Sequence, residues 1–261
     1  MKQLWVNADT KHSTLVQLPC GQVAVYSRRK PGASINEDAA LVLPVDDQRV
    51  VLAVADGCGG MSGGADAARL TLKALQHSVR RISGSLRSAI LDGIEAANAK
   101  VIRLGVGAAT TLAVAEVDGV KFRSYHIGDS QIVLAGGRGK IKLQTTAHSP
   151  VGYAVEAGVM SDVEAMTHED RHIVSNVVGS SECSIEVGMR QKLAKRDTLV
   201  IASDGIFDNL HIDEISNTIS NGNLINAASS LAERTDDRIN SESEASPSKP
   251  DDATFILFRR G

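Results

Sequence analysis

Six apolar residues, Val50 to Ala55, run directly into Asp56-Gly57-Cys58 and then into glycines at 59, 60, 63 and 64. Three chemistries use parts of that set: a cysteine nucleophile, a glycine loop cradling phosphate, or an aspartate presented to a metal ion. A cysteine phosphatase holds its phosphate with an arginine six positions beyond the thiol. Gly64, Tyr26 and Met189 occupy that position for Cys58, Cys20 and Cys183. A Walker loop needs lysine after its last glycine, where Ala65 stands. The dinucleotide fingerprint fails at Ser62, where its third glycine belongs. The aspartate remains.

Asp56 has company. The pattern of an apolar run followed by Asp-Gly returns in LVIASDGIFDNL (199–210), and further acids adjoin strand-like runs at Asn36-Glu37-Asp38 and Asp251-Asp252. One Asp-Gly alone is a turn signal. Strands of a single sandwich could nevertheless deliver all four clusters to one end. Such carboxylates would repel one another unless cations neutralised them. Hard oxygen donors without His or Cys favour Mg²⁺ or Mn²⁺ over zinc, and the acids lack the alternate-residue spacing of a calcium loop.

The elements that must position these groups are legible in outline. Ala68, Leu72, Leu75, Val79 and Ile82 recur at helical steps after Gly64, and Leu86, Ile90, Ile94 and Val101 mark a second amphipathic helix. From Thr110 the period changes: 110–117 and 120–127 flank Asp118-Gly119 as a hairpin, and 131–135 with 140–143 suggest another across a glycine-rich loop. Hairpins imply antiparallel sheets covered by helices, not a doubly wound parallel sheet.

Composition sets further bounds. The 261 residues suffice for one large domain, and 28 basic against 31 acidic residues leave a net charge of −3 without a basic run, so nucleic acid is not an expected partner. No apolar stretch approaches the roughly 20 residues needed to span a bilayer. The three distant cysteines offer neither a disulfide framework nor CxxC spacing, so the expectation is a soluble, cytoplasmic protein with no membrane partner. The polar, Ser/Pro-rich stretch over about 240–250 reads as a mobile loop.

In order along the chain, NED (36–38), VADGCGG (54–60), ATTLAVA (109–115), HIGDS (126–130), IASDGIFD (201–208) and DDAT (251–254) resemble the successive motifs of the metal-dependent Ser/Thr protein phosphatases, the 2C or PPM family. The segment 148–180 is similar to the flap of bacterial-type members. The resemblance implies an α+β fold, a four-layer α-β-β-α sandwich, as one catalytic domain over 1–261. It also implies a binuclear Mn²⁺ or Mg²⁺ centre in which Asp56 bridges two ions and the Gly57 carbonyl binds one. Asp204 and Asp251 complete one shell, and Glu37 and Asp38 face the other ion directly or through water. Asp252 falls where many relatives carry Asn. The implied reaction is hydrolysis of phosphoserine and phosphothreonine on proteins by a metal-bridging hydroxide attacking phosphorus in line, with no side-chain nucleophile. The implied partners are phosphorylated proteins, above all a cognate Ser/Thr kinase and its targets.

Departures from the pattern raise their own expectations. Where most relatives carry a phosphate-gripping arginine, four residues before the Glu of the first motif, this chain has Ala33, so Arg28, Arg29 or Lys30 is expected to compensate. The loss also motivates an alternative, a phosphatase-like regulatory or binding module with weak turnover or none. Cys58 sits where some relatives carry a His proposed as general acid. Beside cations its thiol is expected to tend toward thiolate and to be sensitive to oxidation. His126 and Asp129 are expected to play structural parts, with the carboxylate bonding loop amides. His168 and His172, four apart, could share a helix face.

Overall fold

The computed structural model describes residues 3–58, 63–105, 107–241 and 248–261. Gly59, Gly60 and most of the expected loop at 240–250 lie outside these. One sheet has the order β1 (Leu4–Val6), β4 (Ala39–Pro44), β5 (Arg49–Ala55), β8 (Leu112–Asp118), β9 (Lys121–Ile127) and β12 (Glu186–Val187), with β13 (Gln191–Lys192) also on β9. The second runs β11 (Ile141–Gln144), β10 (Gln131–Ala135), β14 (Thr198–Ala202), β15 (Ala253–Arg260), β3 (Gly21–Arg28) and β2 (Thr14–Leu18). All these pairings are antiparallel. A short pair, β6 (Gly57–Cys58) with β7 (Ala109–Thr110), extends from the end of β5.

Helices α1 (Gly63–Arg80) and α2 (Leu86–Ile102) cover the first sheet, matching the helical periodicity except that Ile82 falls in the turn beyond α1. Short helices α3 (Pro150–Glu156) and α4 (Asp162–Ala165) and a 3₁₀ turn (Glu169–His172) make up the segment at 148–180. Helices α5 (Asp204–Phe207), α6 (Ile212–Ile219) and α7 (Leu224–Ile239) cover the second sheet. No helix among the described residues is long and apolar enough to cross a membrane.

The unbroken apolar runs follow from this layering. In β5, Val50, Leu52 and Val54 enter the core between the sheets, while Val51, Ala53 and Ala55 enter the core under α1 and α2. In β14, Leu199 and Ile201 face the first sheet, and Val200 and Ala202 face the helices of the other side. Both faces of each central strand are buried, so alternation disappears even though the pairing is antiparallel. The Asp118-Gly119 hairpin is present, with Asp118 paired to Lys121. Leu52 is fully buried between the sheets, so Leu52→Ala is expected to cost about 3 kcal/mol in urea unfolding through the cavity it leaves.

Candidate metal centre and its comparison with known proteins

Register explains why the acids meet. Ala39 at the start of β4 pairs with Ala55 at the end of β5, so Glu37 and Asp38 precede one strand where Asp56 follows the other. Ala202 at the end of β14 pairs with Phe255 near the start of β15, which sets Asp204 beside Asp251 and Asp252. The sheets are tied together at this end by Ser203, whose Oγ donates to Asp38 Oδ2 at 2.8 Å. The same hydroxyl accepts the Thr254 N–H at 3.1 Å and does not cap α5.

Close approaches need glycine here. A Cβ on Gly64 would lie 2.6 Å from Glu37 Oε1 and 2.8 Å from the Gly57 carbonyl oxygen, so both oxygens converge on one point at the start of α1. A Cβ on Gly205 would lie 1.9 Å from the Asp252 carbonyl oxygen, and this contact lets α5 deliver Asp204 against β15. Asp56 is fixed through its backbone: Thr111 Oγ1 accepts its N–H at 3.2 Å, and Thr110 Oγ1 donates to its carbonyl at 2.7 Å.

The structure separates the adjacent aspartates. Asp252 Oδ1 accepts the Lys30 N–H and Oδ2 the Glu37 N–H, each at 2.7 Å. Both its oxygens are therefore spent on holding the loop between those residues, whereas Asp251 faces Lys30 and Lys249. Of the three expected phosphate-binding cations, only Lys30 points to the acids, with Nζ 3.9 Å from Glu37 Oε2 and 3.8 Å from Asp251 Oδ1. Arg28 is turned to the α7 side, paired with Asp236 beside Tyr26. Arg29 pairs with Asp9 at 3.1 Å and donates to the Ser34 carbonyl.

Burial and mutual repulsion dominate the electrostatics. Burial, then the charges of Asp38 and Asp204, push Asp56 well above the usual carboxylate range, and burial with Asp252 does the same to Asp38. Burial also raises Glu37 and Asp251, against the opposing pull of Lys30 and, at Asp251, Lys249. Asp204 moves the other way: burial would raise it, but Lys249 Nζ at 2.5 Å holds it down. Asp129, expected to bond loop amides, instead belongs to this cluster. Burial and the charges of Asp204 and Asp208 push it up to about 8. Asp208, which sequence reasoning passed over, is pushed up to about 6 by burial and Asp204.

Two buried oxygens, Asp38 Oδ1 and Asp129 Oδ1, have no hydrogen-bond partner. Unpaired oxygens in an all-oxygen, net-acidic pocket fit a hard divalent cation. Cys58 lies at the edge of this cluster, its Sγ donating to the Asp56 carbonyl at 3.6 Å. Burial and the charges of Asp129 and Asp204 push its thiol up.

The histidines form a different arrangement. His126 and His148 stack at 4.3 Å, and with Glu186 they could supply three ligand atoms within 4.8 Å of one another. His148 Nδ1, however, accepts from the Gly128 N–H at 3.1 Å and from Asn176 Nδ2 at 2.9 Å, so its Nε2 carries the proton that meets Glu186. His126 Nε2, 2.9 Å from the Thr146 carbonyl oxygen, is likewise a donor. Neither Nε2 has a free lone pair, and the trio works as a hydrogen-bonded brace at the root of the segment 148–180. His168 caps the 3₁₀ turn, its Nδ1 accepting from Asp170, while His172 bonds the Glu169 carbonyl, so the two do not form a ligand pair.

The four-layer sandwich described above is the fold of bacterial Ser/Thr phosphatases of the PPM class. The Streptococcus agalactiae serine/threonine phosphatase superposes with a TM-score of 0.79 at 24% identity, over 91% of this chain and 98% of its own. The catalytic domain of the serine threonine protein phosphatase PstP, solved in complex with two manganese ions, superposes with a TM-score of 0.72 at 24% identity, over 95% and 99%. At these identities the likeness shows the fold. A putative protein phosphatase 2C-type protein of Streptococcus pyogenes is 33% identical over 173 residues, 62% of this chain and 69% of its own. The sequence profile of the family described as Protein phosphatase 2C matches residues 27–243. The chain belongs to the protein phosphatase 2C family.

The raised carboxylates give a signed pH dependence. In the folded state Asp129 keeps its proton up to about 8 and Asp208 up to about 6, while unfolded Asp titrates near about 3.9. Between those values the folded state binds more protons, so its stability falls as pH rises. The melting temperature of chelator-treated protein is expected to drop from about pH 5 to about pH 8, and saturating Mn²⁺ to flatten that slope. A rise with pH under chelation would contradict the assignment.

Proposed function

We propose that this chain hydrolyses phosphoserine and phosphothreonine on proteins, using two Mn²⁺ or Mg²⁺ ions at the ends of the sheets. The carrying observation is the convergence of Asp56 and Asp204, from the central strands of both sheets, on a pocket where Asp38 Oδ1 is buried and unpaired. Asp56, the Gly57 carbonyl, Asp204, Asp251, Glu37 and Asp38 would hold the ions. When bound, the ions would supply activation of water near neutral pH for in-line attack on phosphorus, and offset of the phosphoryl charge.

The chain's own groups do the positioning. Ser203 orients Asp38, Thr110 and Thr111 fix the Asp56 backbone, and Asp252 holds the loop that carries Lys30. Lys30, 38% exposed, stands at the mouth, where its ammonium can meet phosphoryl oxygens in place of the arginine missing at Ala33. A cleft of about 530 Å³ opens from Asp129, Asp204 and Asp208, between the 148–180 segment and helices α5 and α6. Val151, Val155, Met166, Phe207 and Ile212 give it apolar walls suited to a peptide segment beside the phosphorylated residue. The full set of acids favours turnover over a phosphatase-like binding module. The substrates we infer are phosphoproteins in the cytoplasm, a Ser/Thr kinase and its targets among them, served by one catalytic domain over 1–261.

Release of phosphate from para-nitrophenyl phosphate and from a phosphothreonine peptide should require Mn²⁺ or Mg²⁺ and cease with chelator. Asp56→Ala and Asp204→Ala should each lower kcat by on the order of a hundredfold or more. Metal-independent release, or release equal to wild type in these variants, would refute the reading. Lys30→Ala should raise KM for the phosphopeptide roughly tenfold through loss of a charge-assisted contact. Arg28→Ala and Arg29→Ala should leave KM near wild type.

A further inference from the structure

Lys249 places an ammonium inside the acid cluster. Its Nζ donates to Asp204 Oδ2 at 2.5 Å and to Asp208 Oδ2 at 2.8 Å, and forms an ion pair with Asp251 Oδ2 at 3.2 Å. The side chain is only 17% exposed. Its position is set by the backbone: the buried side chain of Asn209 accepts the Lys249 N–H at 2.8 Å and donates to the Lys249 carbonyl at 2.9 Å. Asn209 is itself held on the Gly205 carbonyl, so the same turn that delivers Asp204 delivers the lysine. Pro250 follows and biases Lys249 to an extended backbone, while Ser248 bonds the Arg238 carbonyl at the end of α7.

We propose that Lys249 is a tethered counter-cation that competes with the divalent ion for Asp204 and Asp251, and so sets the metal concentration at which the centre fills. This rests on the metal-centre reading above, in which those two carboxylates are ligands. A divalent ion needs their oxygens at about 2.0–2.1 Å and repels a cation lodged among them. The ammonium must therefore leave Asp204 and Asp251 before the ion can settle. Asp208, outside the proposed ligand set, remains a partner onto which Nζ can withdraw. Because the lysine is part of the chain, its local concentration does not fall on dilution, and the competition is present at every protein concentration. With little metal, the same contacts hold acids that would otherwise repel one another.

The test is calorimetric titration of Mn²⁺ into the full-length, chelator-stripped protein at fixed pH and ionic strength, for wild type, Lys249→Met and Lys249→Arg. Lys249→Met should tighten Mn²⁺ binding roughly tenfold or more, by removing one buried positive charge, and should lower the melting temperature of the metal-free protein. Lys249→Arg, which keeps the charge, should bind Mn²⁺ within a few-fold of wild type. If the Met variant does not stay folded without metal, its affinity is read on Mn²⁺-loaded protein by competition with a chelator of known affinity. Unchanged or weaker Mn²⁺ binding in Lys249→Met overturns the proposal while leaving the metal centre standing. Failure of folded wild type to bind Mn²⁺ at all overturns the metal-centre reading instead.

Discussion

Like charges buried at close quarters are the constraint on which this structure turns. Asp38 and Asp129 are buried, Asp56 and Asp204 are largely so, and the four lie within reach of one another's charge. Side chains flexible enough to avoid that repulsion would swing away. They are prevented by the three apolar cores that grip β5 and β14 on both faces and fix where each strand ends. The cost is borne by packing far from the acids, and it keeps a set of oxygens in place for positive charge.

Much of this was legible because each principal acid closes or opens a run of apolar residues. Asp56 and Asp204 follow such runs, and Asp38 and Asp251 precede them, so antiparallel pairing carries each pair to one end of its sheet and the packing of the sheets joins the pairs. Between Asp251 and Asp252, the resemblance alone chose Asp251 as the ligand. Neighbours entering a strand point in opposite directions, and only the amides of Lys30 and Glu37 show which one is spoken for. Asp129 and Asp208 follow or close ordinary-looking turns, and their membership depends on how β9 crosses to β10 and how α5 curls. The fate of Arg28 was legible in principle: it lies two residues after Tyr26 on one strand and so shares the face packed on α7.

The cations of this centre are lysines. An arginine offers a planar fork that fixes a phosphate in two places, whereas a lysine is a point charge on a flexible stem. Lys30 comes from the loop between β3 and β4 and Lys249 from the stretch between α7 and β15, and both reach Asp251. That shared carboxylate couples the two. Where the carboxylate turns affects the phosphate side and the metal side together.

The clasp made by Asp252 also bears on how such a protein changes over generations. It anchors Lys30 and Glu37 at the two roots of a short surface loop, leaving residues 31–35 between them largely solvent-facing. Substitutions or small insertions at the tip of that loop can alter what meets a phosphorylated partner while the roots keep the acids in register. The tip of the loop, Ala33 included, can therefore change without disturbing the clasp on Lys30 and Glu37.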